Sequence, residues 1–144
     1  MVGATTFPYK TIRDLPLDGQ VVLVRADYNV PLNADGTIAD DYRLRRSVPT
    51  LEYLLERGCR VVICSHLGRP DGKYDAKYSL EPVAARLSEI IGRHVAFAPE
   101  CIGDQVRQAV KNLSKGRILL LENLRFHGGG VKVAGRPLAL DGKL

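Results

Sequence analysis

Four short apolar runs alternate along the chain with three segments of helical periodicity. Residues 20–26 read QVVLVRA, a β-branched run bounded by Asp18-Gly19 before it and by Asn29-Val30-Pro31 after it, which predicts a strand. A turn containing Asn33, Asp35 and Gly36 follows. Ser47 then caps an expected helix with Pro49 in its first turn, Val48, Leu51, Leu54 and Leu55 on one face, and Gly58 as its stop. Residues 60–64 (RVVIC) predict a second strand, opening into a polar loop over 65–78. The best-marked helix has Ser79 as its cap, Pro82 in its first turn, Val83, Leu87, Ile90 and Ile91 at i, i+4, i+7 and i+8, and Gly92 at its end. A short strand over 94–97, a weaker helix over 104–112 and a last strand over 117–121 (RILLL) complete the series.

Continuous apolar strands alternating with helices predict βαβ units, and so an α/β fold: an open, mainly parallel sheet with helices on both faces, a Rossmann-like three-layer arrangement. Crossovers in such a sheet are right-handed, and ligands bind in the crevice outside the carboxyl ends of the strands. The character changes after His127, where Gly128, Gly129 and Gly130 precede VKVAGRPLALDGKL. The expected organisation is one domain over 1–127, then a Gly-rich joint and tail over 128–144 holding one or two short strands.

At 144 residues the chain has room for one domain with a core, and 45% hydrophobic with 26% charged residues excludes disordered and fibrous classes. No apolar run approaches the roughly 20 residues of a membrane-crossing helix. The first 20 residues lack a secretory pattern, so a cytoplasmic location is expected. Cys59, Cys64 and Cys101 are odd in number and lack C-x-x-C spacing, and are expected to be free buried thiols rather than metal ligands. The formal net charge is +5, which suits an acidic partner. Of the 21 cations 14 are Arg, the residue whose planar fork matches carboxylate and phosphate oxygens. With aromatics at 6% and no basic run, a nucleic-acid surface is not expected.

The strand ends carry the candidate chemistry. A period of two puts Arg25, Asp27 and Asn29 on one face of the first strand, opposite Val22, Val24 and Ala26. Asp27 and Asn29 at its carboxyl end either suit a hydroxyl-bearing ligand or cap a loop. After the second strand, His66, Leu67, Gly68 and Arg69 put an imidazole and a guanidinium around a glycine, a loop able to hold an anion; alternatively His66 is structural and Arg69 a solvated turn residue. The last strand delivers Arg125 and His127 to the same edge. Three successive strand ends each offering a cation, with Arg43 at the entry to the first helix, predict a basic crevice. GxxxxGK[ST], G-x-G-x-x-G and G-x-S-x-G are absent, no metal-ligand cluster is found, and the adjacent Asp40 and Asp41 read as a solvated helix start.

VRADYNVPL (24–32), SHLGRPDGKY (65–74), KYSLEPVA (77–84) and LLLENLRFH (119–127), in this order and spacing, closely resemble phosphoglycerate kinase. The resemblance covers residues 8–127. It implies transfer of the acyl phosphate of 1,3-bisphosphoglycerate to Mg-ADP, giving 3-phosphoglycerate and Mg-ATP, in an enzyme of two doubly wound domains whose N-terminal one binds the phosphoglycerate. It assigns Asp27, Asn29 and the backbone at Tyr28 to the glycerate end of the substrate. It assigns Arg43, His66, Arg69 and Arg125, with Leu67 and Gly68 in the same loop, to a basic patch that grips phosphate. Arg25 matches a supporting member of that patch. Arg43 resembles the arginine that stabilises the transferring phosphoryl group and is the catalytic candidate.

Family members continue past LRFH into further sheet and a nucleotide domain, so the expectation is a truncated phosphoglycerate half, inactive alone. Mg-ADP or Mg-ATP is the implied co-substrate, with no recognisable site in this chain and no protein-bound metal. The resemblance also implies a monomer acting on small-molecule substrates, with no membrane partner. Two other readings stand beside it: a non-catalytic polyanion-binding module, and self-association through an uncovered sheet edge.

Overall fold

The computed structural model describes residues 8–127, 132–133 and 136–137. Four parallel strands, β1 (Val21–Arg25), β2 (Arg60–Cys64), β3 (Val95–Ala98) and β4 (Ile118–Leu121), form one sheet in the order β1-β2-β4-β3. Helix α1 (Tyr42–Glu56) joins β1 to β2, α2 (Glu81–Ile91) joins β2 to β3, and α3 (Asp104–Asn112) joins β3 to β4. The first two connections step across the sheet in one direction and the third steps back. Right-handed crossovers therefore put α1 and α2 on one face and α3 on the other. Two apolar clusters show this arrangement. One packs Leu51, Leu54, Val83 and Leu87 of α1 and α2 against Val61, Ile63 and Leu120, and the other packs Val106 of α3 against Val62, Leu119 and Leu121. The α/β class with helices on both faces is as the hydrophobic pattern predicts.

Burial follows position in the sheet. The inner strand β4 is buried along its whole length and β2 from Val61 to Cys64, which is why both read as unbroken apolar runs. β1 lies at an edge and alternates, with Val21 at 48% and Leu23 at 46% exposure on the face that carries α3. Val21 and Leu23 border an open apolar groove of about 350 Å³ that runs on to Ile102 and Val106.

The first helix begins earlier than its sequence suggested. It starts at Tyr42, after Asp40 accepts the Tyr42 amide at 2.8 Å, and it runs through both Ser47 and Pro49. Ser47 is thus not a cap; its hydroxyl donates to the Leu44 carbonyl at 2.7 Å. Pro49 leaves one interior carbonyl without its helical donor, a loss tolerated where the apolar face of Leu44, Leu51, Leu54 and Leu55 is buried. Asp40-Asp41 is the helix start, as expected. Asp41 is also bound by Arg45 at 2.9 Å and Arg86 at 2.7 Å, whose guanidinium groups hold its carboxyl below the ordinary range.

Helix α2 begins at Glu81, whose amide is accepted by the Ser79 hydroxyl at 3.2 Å, and ends at Gly92 in the left-handed conformation. Its first turn has a second anchor from far along the chain. The buried Glu122 carboxylate, immediately after β4, accepts the Leu80 amide at 2.9 Å and the Ser79 hydroxyl at 2.7 Å. The three cysteines are buried free thiols, and burial first, then the Glu100 carboxylate, pushes Cys101 up to about 11. Two short strands, β5 (Lys132–Val133) and β6 (Arg136–Pro137), pair antiparallel; the expected glycine joint at 128–130 lies outside the described residues.

Candidate functional site: a basic crevice at the carboxyl ends of β1, β2 and β4

Strands β1, β2 and β4 are neighbours, so their exit loops are brought side by side. Tyr28 anchors the first loop: its ring is fully buried, its amide donates to the Ser65 hydroxyl at 3.0 Å, and its own hydroxyl lies 2.7 Å from Ser47. Ser47 spends its proton on Leu44, so the Tyr28 hydroxyl is the donor of that pair. With Tyr28 turned inward, Asp27 is exposed and Asn29 half-buried at the edge.

The second loop is fixed around Gly68. Its backbone has φ +61°, and a Cβ there would run into the Tyr78 ring, so only glycine fits. Its amide donates to Asn29 Oδ1 at 3.0 Å and its carbonyl accepts from Arg125 Nη1 at 2.9 Å. One residue therefore ties all three loops together through its backbone. The third loop is stitched to the second by Leu124 N to Ser65 O at 3.0 Å and Gly72 N to Arg125 O at 3.1 Å.

Around this frame the structure gathers the cations singled out in the sequence. Arg43, on the first turns of α1, donates through Nη1 to Asp27 Oδ1 at 2.9 Å and to the Asn29 carbonyl at 2.8 Å. Arg25 Nη2 lies 2.8 Å from His66 Nδ1. A guanidinium only donates, so Nδ1 accepts and the His66 proton sits on Nε2. The imidazole is held neutral: burial pushes its pKa down, with the charges of Arg125 and Arg25 next, while Asp27 pulls the other way. Arg69, next to Gly68 in the second loop, is exposed, and its side chain makes no hydrogen bond among the described residues, so the structure does not tie it to the other cations. Leu67 is buried beneath the loop. His127 bonds Glu100 at 2.9 Å, at the end of β3, and is a partner of that carboxylate rather than of the Arg25–His66 pair.

Two groups escaped the sequence reading. Arg46 lines the same 360 Å³ cavity as Arg25, Asp27 and Arg43. It stands one turn beyond Arg43 on α1, and with the helix start placed at Ser47 the i, i+3 spacing of 43 and 46 had no meaning. Glu122 and Asn123 are 4% and 0% exposed and join the loops from below. A polar pair directly after the most apolar strand was the available signal.

Arginines and a neutral histidine brought together without a nucleophile suit an oxyanion ligand, which needs positioning and charge neutralisation rather than a covalent step. Among the described residues no group of three or more His, Cys, Asp and Glu side chains is placed to hold a metal ion.

The family model for phosphoglycerate kinase matches residues 12–138. The chain belongs to the phosphoglycerate kinase family. Curated relatives named phosphoglycerate kinase include that of Aquifex aeolicus (strain VF5), 53% identical over 118 residues, and that of Borrelia hermsii (strain HS1 / DAH), 54% identical over 118 residues. In both, the match covers 82% of this chain and 30% of the relative. Among solved structures, phosphoglycerate kinase from Pyrococcus horikoshii OT3 superposes with a TM-score of 0.75 at 37% identity, over 84% of this chain and 29% of that one. The enzyme from Coxiella burnetii gives 0.72 at 34% identity, over 85% and 30%. The chain thus spans about three tenths of the length of these phosphoglycerate kinases.

Proposed function

We propose that this chain is the phosphoglycerate-binding part of a phosphoglycerate kinase, a phosphotransferase acting between 1,3-bisphosphoglycerate and Mg-ADP to give 3-phosphoglycerate and Mg-ATP. The observation that carries this reading is the convergence of Arg25, Arg43, His66 and Arg125 around loops joined through the Gly68 backbone. Arg43, Arg69 and Arg125 supply charge for the phosphate, and His66 offers its Nε2 proton. Asp27 and Asn29, with the Tyr28 backbone, receive the glycerate hydroxyl and carboxylate. In the free chain Arg43 is held by Asp27 and by the Asn29 carbonyl, so a ligand reaches it by exchange of partners. Arg43 is the group proposed to neutralise charge on the transferring phosphoryl oxygens.

The Mg-nucleotide is a co-substrate in this reading, and residues 1–144 carry no assigned site for it. Without a positioned nucleotide the effective concentration of the second reactant is lost, so this chain alone turns over negligibly. Residues 1–127 are proposed as the binding domain and 128–144 as a joint and tail, although the family match runs on to 138. No helix among the described residues is long and apolar enough to cross a membrane, and a cytoplasmic location belongs to the proposal.

Calorimetric titration of 3-phosphoglycerate into the purified chain at two salt concentrations, with Arg69→Ala as control, tests it. Saturable binding that weakens gently with salt and is lost in the variant is expected. A steep salt slope would favour a polyanion-binding module instead. Absence of binding by a folded chain would overturn the reading.

A second reading, self-association, is favoured by β1. Among the described residues it pairs only with β2, and it leaves Val21 and Leu23 half exposed beside an apolar groove. A mass that rises with concentration in sedimentation would support it; a monomer throughout would exclude it.

A further inference from the structure

Asn123 touches no open surface, yet its carboxamide is bonded to three separate segments. Nδ2 donates to the Leu67 carbonyl at 2.7 Å and to the Tyr78 carbonyl at 2.9 Å, and Oδ1 accepts the Arg125 amide at 3.0 Å. These partners lie in the loop after β2, in the turn that leads into α2, and in the turn after β4 that carries Arg125. Two carbonyls need two donors and the amide needs an acceptor, so this orientation of the carboxamide is the one its neighbours permit. The side chain is also aimed from behind. Glu122 Oε1 accepts the Asn123 backbone amide at 2.8 Å while the same carboxylate holds Ser79 and Leu80.

We propose that Asn123 is a positioning residue for phosphate-ester binding, acting through the Leu67–Gly68 peptide and the Arg125 turn; this rests on the phosphoglycerate reading above. Leu67 immediately precedes the glycine whose amide and carbonyl engage Asn29 and Arg125. Releasing the Leu67 carbonyl frees Gly68 to rotate, and both bonds to the substrate-facing side chains loosen together. The Arg125 amide, released in the same event, lets that guanidinium drift. Asp in this place would turn a carboxylate oxygen toward two carbonyl oxygens, whereas Ser keeps a small acceptor for the Arg125 amide but cannot span to both carbonyls. A cradle for one ester must hold its groups within about half an ångström, and a buried amide that ties both ends of the β2–α2 connection to its own turn is suited to that.

The test compares Asn123→Asp and Asn123→Ser with the unaltered chain, using 3-phosphoglycerate and inorganic phosphate as probes, well below the thermal midpoint. The dissociation constant for 3-phosphoglycerate is expected to rise about ten-fold while that for phosphate rises less than about three-fold, because the ester depends on the relative placement of several groups. Amide exchange is expected to accelerate at residues 67–69 and 125 and to stay unchanged in the centre of β2 and β4. A role in general stability alone predicts the opposite pattern: a lower midpoint, evenly faster exchange and an unchanged ratio of the two affinities. That outcome, or failure of both variants to fold, overturns the proposal. Should the unaltered chain bind neither probe, the phosphoglycerate reading fails, and local against even exchange alone decides the role of Asn123. Should only the Asp variant fail to fold, the Ser variant decides.

Discussion

The Asn29 side-chain oxygen accepts a hydrogen bond from the Gly68 amide at 3.0 Å, joining the exit of the edge strand to the exit of an inner one. Asn29 is thereby a structural fastening as well as a candidate ligand. Asn29→Ala leaves the half-buried Gly68 amide without its acceptor. A loss of about 1–3 kcal/mol in unfolding free energy is expected, measured by denaturant titration, together with weaker 3-phosphoglycerate binding.

Gly68→Ala combines a left-handed backbone with a collision against the Tyr78 ring. The loop must move for the methyl to fit, at an expected cost of about 1–3 kcal/mol from the backbone conformation alone. Calorimetry should find 3-phosphoglycerate binding abolished in a chain that still folds at low temperature.

Arg43 and Asp27 behave differently because both side chains are largely exposed. Their ion pair contributes about 0–1 kcal/mol, so Arg43→Ala should leave the thermal midpoint within a few degrees of the parent. The affinity for 3-phosphoglycerate should nevertheless fall at least about ten-fold, as expected for loss of a charged donor to the ester. Unchanged affinity would remove Arg43 from the site.

His66 makes stability depend on pH in a definite direction. Its folded-state pKa is pushed below the ordinary 6.5, chiefly by burial and next by Arg125 and Arg25. The unfolded chain therefore takes up the proton first as pH falls. The contribution of neutral His66 is fully present above about pH 6.5 and declines below it. Thermal midpoints between about pH 7.5 and 5.5 should fall less steeply in His66→Gln, which keeps an acceptor for Arg25. Parallel curves for the two chains would contradict the depressed pKa of His66 in the folded chain.

Leu23→Lys tests the edge strand. Leu23 is already half exposed, so little stability is lost, within about 0.5 kcal/mol. Any concentration-dependent mass seen in sedimentation of the parent should disappear, since a charge on the edge strand opposes pairing between copies. Persistence of association would move the contact away from β1.

Much of this architecture was legible from apolar spacing. The runs at 60–64 and 118–121 are inner strands because inner parallel strands are covered on both faces, and their sequence shows it directly. The start of α1 was not legible from the same signal. Ser47 and Pro49 imitate a helix beginning, and tertiary burial of Leu44 overrode them. The candidate cations could be named from their places after strands, but their partners could not. The bond between Arg25 and His66 spans 41 residues, and that between Arg125 and Gly68 spans 57. Sequence spacing says nothing about contacts of that range. Asn123 was marked only by its polar place directly after β4, because the carbonyls it binds, at Leu67 and Tyr78, are 56 and 45 residues away.

The strand order has a dynamic consequence. β2 and β4 sit at the centre of the sheet, paired on both sides, whereas β1 is held along one edge only. Openings that release the loops after β2 and β4 must break the whole sheet, while β1 can fray alone. The crevice is therefore built on two supports of unequal lifetime. Asp27 and Asn29 ride on the short-lived one, and His66, Arg69 and Arg125 on the long-lived one. A ligand spanning both would close that gap, and its binding should be read most clearly as slowed exchange in β1.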